Sequence, residues 1–166
     1  MIRLVGLDPG LRRTGWGVLE VAGSRLRPVA CGVVAAPERG SLARRLEALY
    51  GALEEVLRAF EPVEAAVEET VVNRNPATSL KLGQARGVAL LAAARAGIEV
   101  HEYAARRIKQ AVTGTGGASK EQVWRMVQVL LPGIPIPNGD AADALAAALC
   151  HAHHRSSLAA FAGGRR

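Results

Sequence analysis

The chain has 166 residues, 49% of them hydrophobic, enough for one compact domain with a sizeable core and too apolar for a disordered polyelectrolyte. No continuous apolar run is long enough to span a bilayer, and the N-terminus MIRLVGLDPG lacks the extended apolar region of a signal peptide, so the expected setting is the cytoplasm, with no membrane. The net charge of +6 is concentrated: residues 71–120 carry eight basic groups against Glu99 and Glu102, whereas residues 1–70 sum to −1 and residues 121–166 to +1, a distribution suited to a polyanion such as nucleic acid.

Residues 2–8, IRLVGLD, read as a short buried strand closed by the turn Asp8-Pro9-Gly10. TGWGVLEV and RPVACGVVAA read as two further strands, joined through Gly23-Ser24 as a hairpin or meander. From Ser41 the period changes. Leu42, Leu46, Leu49, Leu53, Leu57 and Phe60 recur at helical spacing, with Ser41 as N-cap and Pro62 as stop. AAVEET (65–70) is a fourth strand ending in carboxylates. Asn75-Pro76 opens a helix to about Ala96, ended by Gly97, and IEVHEY (98–103) alternates as a fifth strand. A short helix over AARRIKQAV, the loop GTGGA, and a helix from Ser119 to Leu131 with capping-box spacing at Ser119 and Gln122 follow. The last helix runs from about Asp140 to His154, and residues 156–166 read as a flexible tail. Three strands followed by alternating helices and strands predict one α/β domain over residues 1–155, with helices on a mixed sheet. Cys31 and Cys150 form no motif and read as reduced core residues.

The informative acids sit at element ends. Asp8 closes the first strand, Glu68 and Glu69 close the fourth, and Asp140 and Asp143 share one face at the start of the Ala-rich last helix. Strand ends on one side of an α/β sheet form the ligand crevice. If the first and fourth strands are parallel neighbours, Asp8 meets one of the two glutamates there; side chains alternate, and spacing does not say which. A helix start docked at the same place brings four carboxylates together. Such a cluster is costly unless divalent cations relieve it, and oxygen donors of this kind suit Mg²⁺ or Mn²⁺. Two such ions support attack of water on a phosphodiester. Singly, each acid also has an ordinary explanation: Asp8 as a turn initiator, Asp140 as an N-cap, Asp143 facing the helix dipole, a glutamate paired with a surface Arg.

GTGGASK (114–120) resembles a phosphate loop, but Ser119 precedes Lys120 instead of following it; a loop carrying Lys120 to a phosphate backbone is the better reading. His151 and His154, i and i+3, make a zinc site conceivable, with no Cys pattern to support it. No nucleophile elbow supports a Ser or Cys hydrolase.

The stretches GLDPGLRRTGWGV (6–18), AVEE (66–69), SLKLGQARGVAL (79–90), EYAARRIKQAVTGTGGASKEQV (102–123) and DAADALAAAL (140–149) together resemble the RuvC Holliday-junction resolvases, a branch of the ribonuclease H-like nucleases. The resemblance runs from Ile2 to about His153. It implies a ribonuclease H-like fold with a five-stranded mixed sheet flanked by helices. It implies a homodimeric, structure-selective endonuclease that resolves four-way DNA junctions by paired symmetric nicks in recombination and repair, alongside the branch-migration proteins RuvA and RuvB. Glu68 aligns with the family's metal ligand and Glu69 with a position often occupied by Gln. With Asp8, Asp140 and Asp143, Glu68 would hold two Mg²⁺ ions, Mn²⁺ being a plausible substitute, and leave 5′-phosphate and 3′-hydroxyl ends. Lys109 and Lys120 align with basic positions that contact DNA, Lys120 also stabilising transition-state charge. Lys81, Arg86 and Arg106 in the basic stretch, with Asn73 and Arg74, complete the expected DNA-contacting set. One departure stands out: some members carry an aromatic after the catalytic Glu to wedge against bases, where this chain has Val71 and Val72. Two other functions share parts of this pattern: a non-catalytic junction- or DNA-binding module, which does not need the carboxylates, and a ribonuclease H-like enzyme acting on RNA–DNA hybrids.

Overall fold

The structure, a computed structural model, describes residues 1–69 and 75–163, with side chains as far as Arg155. Strands β1 (Ile2–Asp8), β2 (Arg13–Ala22), β3 (Arg25–Ala35), β4 (Glu64–Glu68) and β5 (Glu99–Tyr103) form one sheet in the order β3-β2-β1-β4-β5. The pair β1/β2 is antiparallel and β1/β4 parallel, so the sheet is mixed, as the leading meander predicts. Pro28 lies in β3 at the sheet's edge, where a missing N–H costs no ladder bond.

Helices α1 (Leu42–Phe60) and α2 (Pro76–Arg95) cover one face of the sheet. The Ser41 hydroxyl accepts from Arg44 N–H to start α1; Asn75 Oδ1 accepts from Ala77 and Thr78 N–H to start α2, with Pro76 at its first position. Val5, Leu7, Ala65 and Val67 point to this side and meet Leu49, Leu53, Ala85 and Ala89. Alternation sends Leu4, Gly6 and Asp8 of β1, and Glu64, Ala66 and Glu68 of β4, to the opposite face. There α3 (Ala105–Thr113), α4 (Lys120–Leu130) and α5 (Gly139–Gly163) pack. α5 continues to Gly163, beyond the end near His154 that its sequence suggests.

α5 lies unusually close to the sheet. A Cβ on Gly6 would fall 1.8 Å from the Ala144 carbonyl oxygen, and one on Gly15 2.0 Å from the Asp140 carbonyl oxygen. Glycine in the strands, with alanine through Ala141, Ala142, Ala144 and Ala148 of the helix, lets backbone meet backbone. Among the described residues no helix is long and apolar enough to cross a membrane.

Candidate active site

The C-terminal ends of β1 and β4 lie side by side, Leu7 in register with Val67, and the N-terminus of α5 lies against the neighbouring β2. Asp8, Glu68 and Asp143 therefore meet as half-buried carboxylates, with Asp140 one turn before Asp143 at the rim. Alternation decides the glutamate that spacing left open: Glu68 faces α5, while Glu69 is exposed and its N–H donates to the Tyr103 carbonyl at 2.9 Å.

Mutual repulsion shows in the proton affinities. Asp8 is pushed from 3.8 up to about 7, first by burial, then by the Asp143 and Glu68 charges, with Lys120 opposing. Glu68 is also raised, by burial and then by Asp143, while Lys120 and Lys109 pull it down. Asp140 is not the cap of α5. Asn138 accepts from Ala141 N–H through Oδ1 at 3.0 Å and from Ala142 N–H through its carbonyl, which leaves the Asp140 carboxylate out of the helix end. Asp140 Oδ2 is buried and makes no hydrogen bond, although Arg13 Nε stands 3.1 Å from it. The distance is short enough for charge attraction, but the N–H is not directed at the oxygen.

Lys120 is the first residue of α4, set there by the expected capping box: Gln122 N–H donates to Ser119 Oγ and Ser119 N–H to Gln122 Oε1. Its Nζ donates to Asp143 Oδ2 at 3.0 Å, and that bond raises the lysine's own proton affinity. Lys109, half-buried on α3, acts on Glu68. Arg106 is exposed, its stem against Gly116 of the loop before α4. Lys81 is exposed on α2 and lines a cleft of about 880 Å³ beside Asp140. Arg86 is turned elsewhere: it pairs with Glu102 on the α2 side of the sheet, away from the carboxylates. Asn73 and Arg74, with Val71 and Val72, lie outside the described residues.

Arg12, Arg13 and Arg45 also line that cleft, three cations from residues 1–70, which sum to −1. The adjacent Arg12-Arg13 after the Asp-Pro-Gly turn was the available signal. Arg45 carried none, because only the packing of α1 beside the turn brings it there. His151 and His154 do not share a site: His154 Nδ1 contacts Arg107, whereas His151 turns to Tyr103 and Glu64.

The family model described as crossover junction endodeoxyribonuclease RuvC matches residues 4–151. The protein of that name from Rhodospirillum rubrum is 59% identical over 169 residues, covering 99% of this chain and all of that protein. The one from Gluconobacter oxydans is 55% identical, covering 100% of this chain and 99% of its own. Among solved structures, Thermus thermophilus RuvC in complex with a Holliday junction substrate superposes with a TM-score of 0.86 at 35% identity, covering 95% of this chain and 96% of that one.

Proposed function

The chain belongs to the RuvC family of crossover junction endodeoxyribonucleases, and we propose that Asp8, Glu68, Asp140 and Asp143 are the metal-holding carboxylates with which it cuts four-way DNA junctions. With the family comes divalent-metal dependence. The observation that carries the assignment is the convergence of these carboxylates from β1, β4 and α5, with Asp8 raised to about 7 and a buried Asp140 oxygen that makes no hydrogen bond. A group of oxygen anions that raises the proton affinity of two of its members, Asp8 and Glu68, is a fit for hard divalent cations. Mg²⁺ is the favoured ion, two per site, with Mn²⁺ as a substitute. When bound, such a pair supplies Lewis-acid charge to the phosphodiester and lowers the pKa of the attacking water.

The chain's own groups do the rest. Asp8 must lose its proton before it can act as a ligand, and Lys120 favours that loss, while Lys109 favours the charged form of Glu68. Lys120, exposed at the head of α4, holds a positive charge beside Asp143, within reach of a scissile phosphate. The Arg12, Arg13, Arg45 and Lys81 cleft guides the adjoining backbone by charge. Arg106, exposed on α3 with its stem against Gly116, serves the same end.

A homodimer presents two such sites to a two-fold junction. α2 offers its surface. Ala85 is fully buried against the sheet, and the outward stripe is Leu80, Gly83, Gly87 and Leu91, with Leu80 65% and Leu91 53% exposed.

The test is cleavage of a synthetic four-way junction in Mg²⁺ by wild type and by Asp8→Asn, Glu68→Gln, Asp140→Asn and Asp143→Asn singly. Loss of paired nicking in each supports the assignment. Wild-type cutting by Asp8→Asn overturns it, and a preference for an RNA–DNA hybrid over the junction overturns the substrate class. A purely DNA-binding module gives no reason for buried, mutually repelling carboxylates.

A further inference from the structure

Eight residues beyond Asp143, about 12 Å along α5 at 1.5 Å per residue, the same helix brings a different set of groups to the same face of the sheet. His151 is almost fully buried. Its Nδ1 is 2.7 Å from the Tyr103 hydroxyl and its Nε2 2.7 Å from Glu64 Oε2. The His101 ring stacks on it, centroids 4.2 Å apart. Glu64 opens β4 and His101 is mid-strand in its parallel neighbour β5, where Ala66 pairs with His101, so both side chains project toward α5. One ligand atom from each of Glu64, His101 and His151 lies within 4.8 Å of the others.

We propose that Glu64, His101 and His151 form a second metal site, for a borderline divalent cation of the Zn²⁺ class, midway along α5 and about two turns from the acidic cluster. Two imidazoles and one carboxylate are a donor set for Zn²⁺, Co²⁺ or Ni²⁺, whereas the oxygen-only cluster at Asp8 suits Mg²⁺. Burial favours the neutral form of His151, the form that can donate a lone pair. Tyr103 serves as its orienting partner. With Nε2 on the metal, the imidazole proton resides on Nδ1 and is donated to the Tyr103 oxygen; the ring stays neutral. The open edge of His101, about a third exposed, gives the ion and a bound water their way in.

Arg155 competes for the same carboxylate, its Nε 2.7 Å from Glu64 Oε2. Its side chain is 42% exposed, so it exchanges Glu64 for solvent at small cost when the cation arrives. The two fillings of the site, guanidinium or metal, are therefore alternatives.

Co²⁺ is the probe. Chelator-treated full-length protein is titrated with it and followed by visible absorption, where an imidazole-bound four- or five-coordinate ion absorbs far more strongly than an octahedral all-oxygen one. One equivalent giving the intense band is expected in wild type and equally in Asp8→Asn. His101→Ala, and the nearly isosteric Glu64→Gln in case the first fails to fold, each weaken Co²⁺ binding at this band about tenfold or more. Junction cleavage in Mg²⁺ by His101→Ala stays at the wild-type level, which separates this site from the nuclease centre. Absence of the intense band in wild type, or a band undiminished by both substitutions, overturns the proposal and leaves a metal-free hydrogen-bonded network.

Discussion

At Asp8 burial and three neighbouring anions act together, and the sign of the result is clear. The native carboxyl titrates near 7 and the unfolded one near 3.8. Between those values the native state binds the additional proton, so stability of the metal-free protein falls as pH rises through that window and is lowest above about 7. A tenfold difference in proton affinity between the two states is worth about 1.4 kcal/mol. Asp8→Asn removes the charge, so in chelator at pH 8 the variant should melt roughly 3–8 °C above wild type, with the gap closing toward pH 4. Equal melting temperatures at pH 8 would show that the carboxylate is not under strain there. Lys120 gives the complementary case. Its side chain is 86% exposed, so Lys120→Gln should leave the melting temperature nearly unchanged. The same change should lower kcat by about 10²–10³-fold with little effect on KM, if its ammonium acts on the transition state. A KM effect alone would make it a binding residue.

Among the elements, α5 determines where the site stands. Gly6 and Gly15 admit it so closely that any side chain there collides with a helix carbonyl. Gly15→Ala, against the Asp140 carbonyl, should cost about 1–3 kcal/mol by denaturation and reduce cleavage by far more than that loss explains, because it displaces an acid. Cleavage unchanged in a folded Gly15→Ala would mean that the helix has room to move. Much of this was readable in the chain. The strand ends at Asp8 and Glu68, the helix start at Asp140 and Asp143, and the capping box before Lys120 all follow from local spacing. The choice of Glu68 over Glu69 needed the strand's facing, which is a tertiary fact. Asp140 was legible as an N-cap only until Asn138 was seen to do that work. Arg45 was opaque because its neighbours in space come from distant parts of the chain, and a basic stretch does not reveal that one of its members, Arg86, is already paired with Glu102.

For the molecule as a whole, charge and symmetry set the expectations. If the outward stripe of α2 is the dimer surface, Leu80→Glu with Leu91→Glu should give a monomer by sedimentation, fold retained, and should uncouple the two nicks on one junction. A dimer surviving both changes would place the interface elsewhere. Junction affinity should fall steeply with salt, as expected for a contact dominated by phosphates. Finally, the contacts Lys120–Asp143 and Arg13–Asp140 have a thermodynamic meaning. A carboxylate cannot serve a cationic side chain and a divalent ion equally well, so metal binding releases an ammonium and a guanidinium that phosphate can then recruit. Metal and DNA should accordingly raise each other's affinity by one and the same factor, measurable from either side, and the factor should shrink in Arg13→Ala.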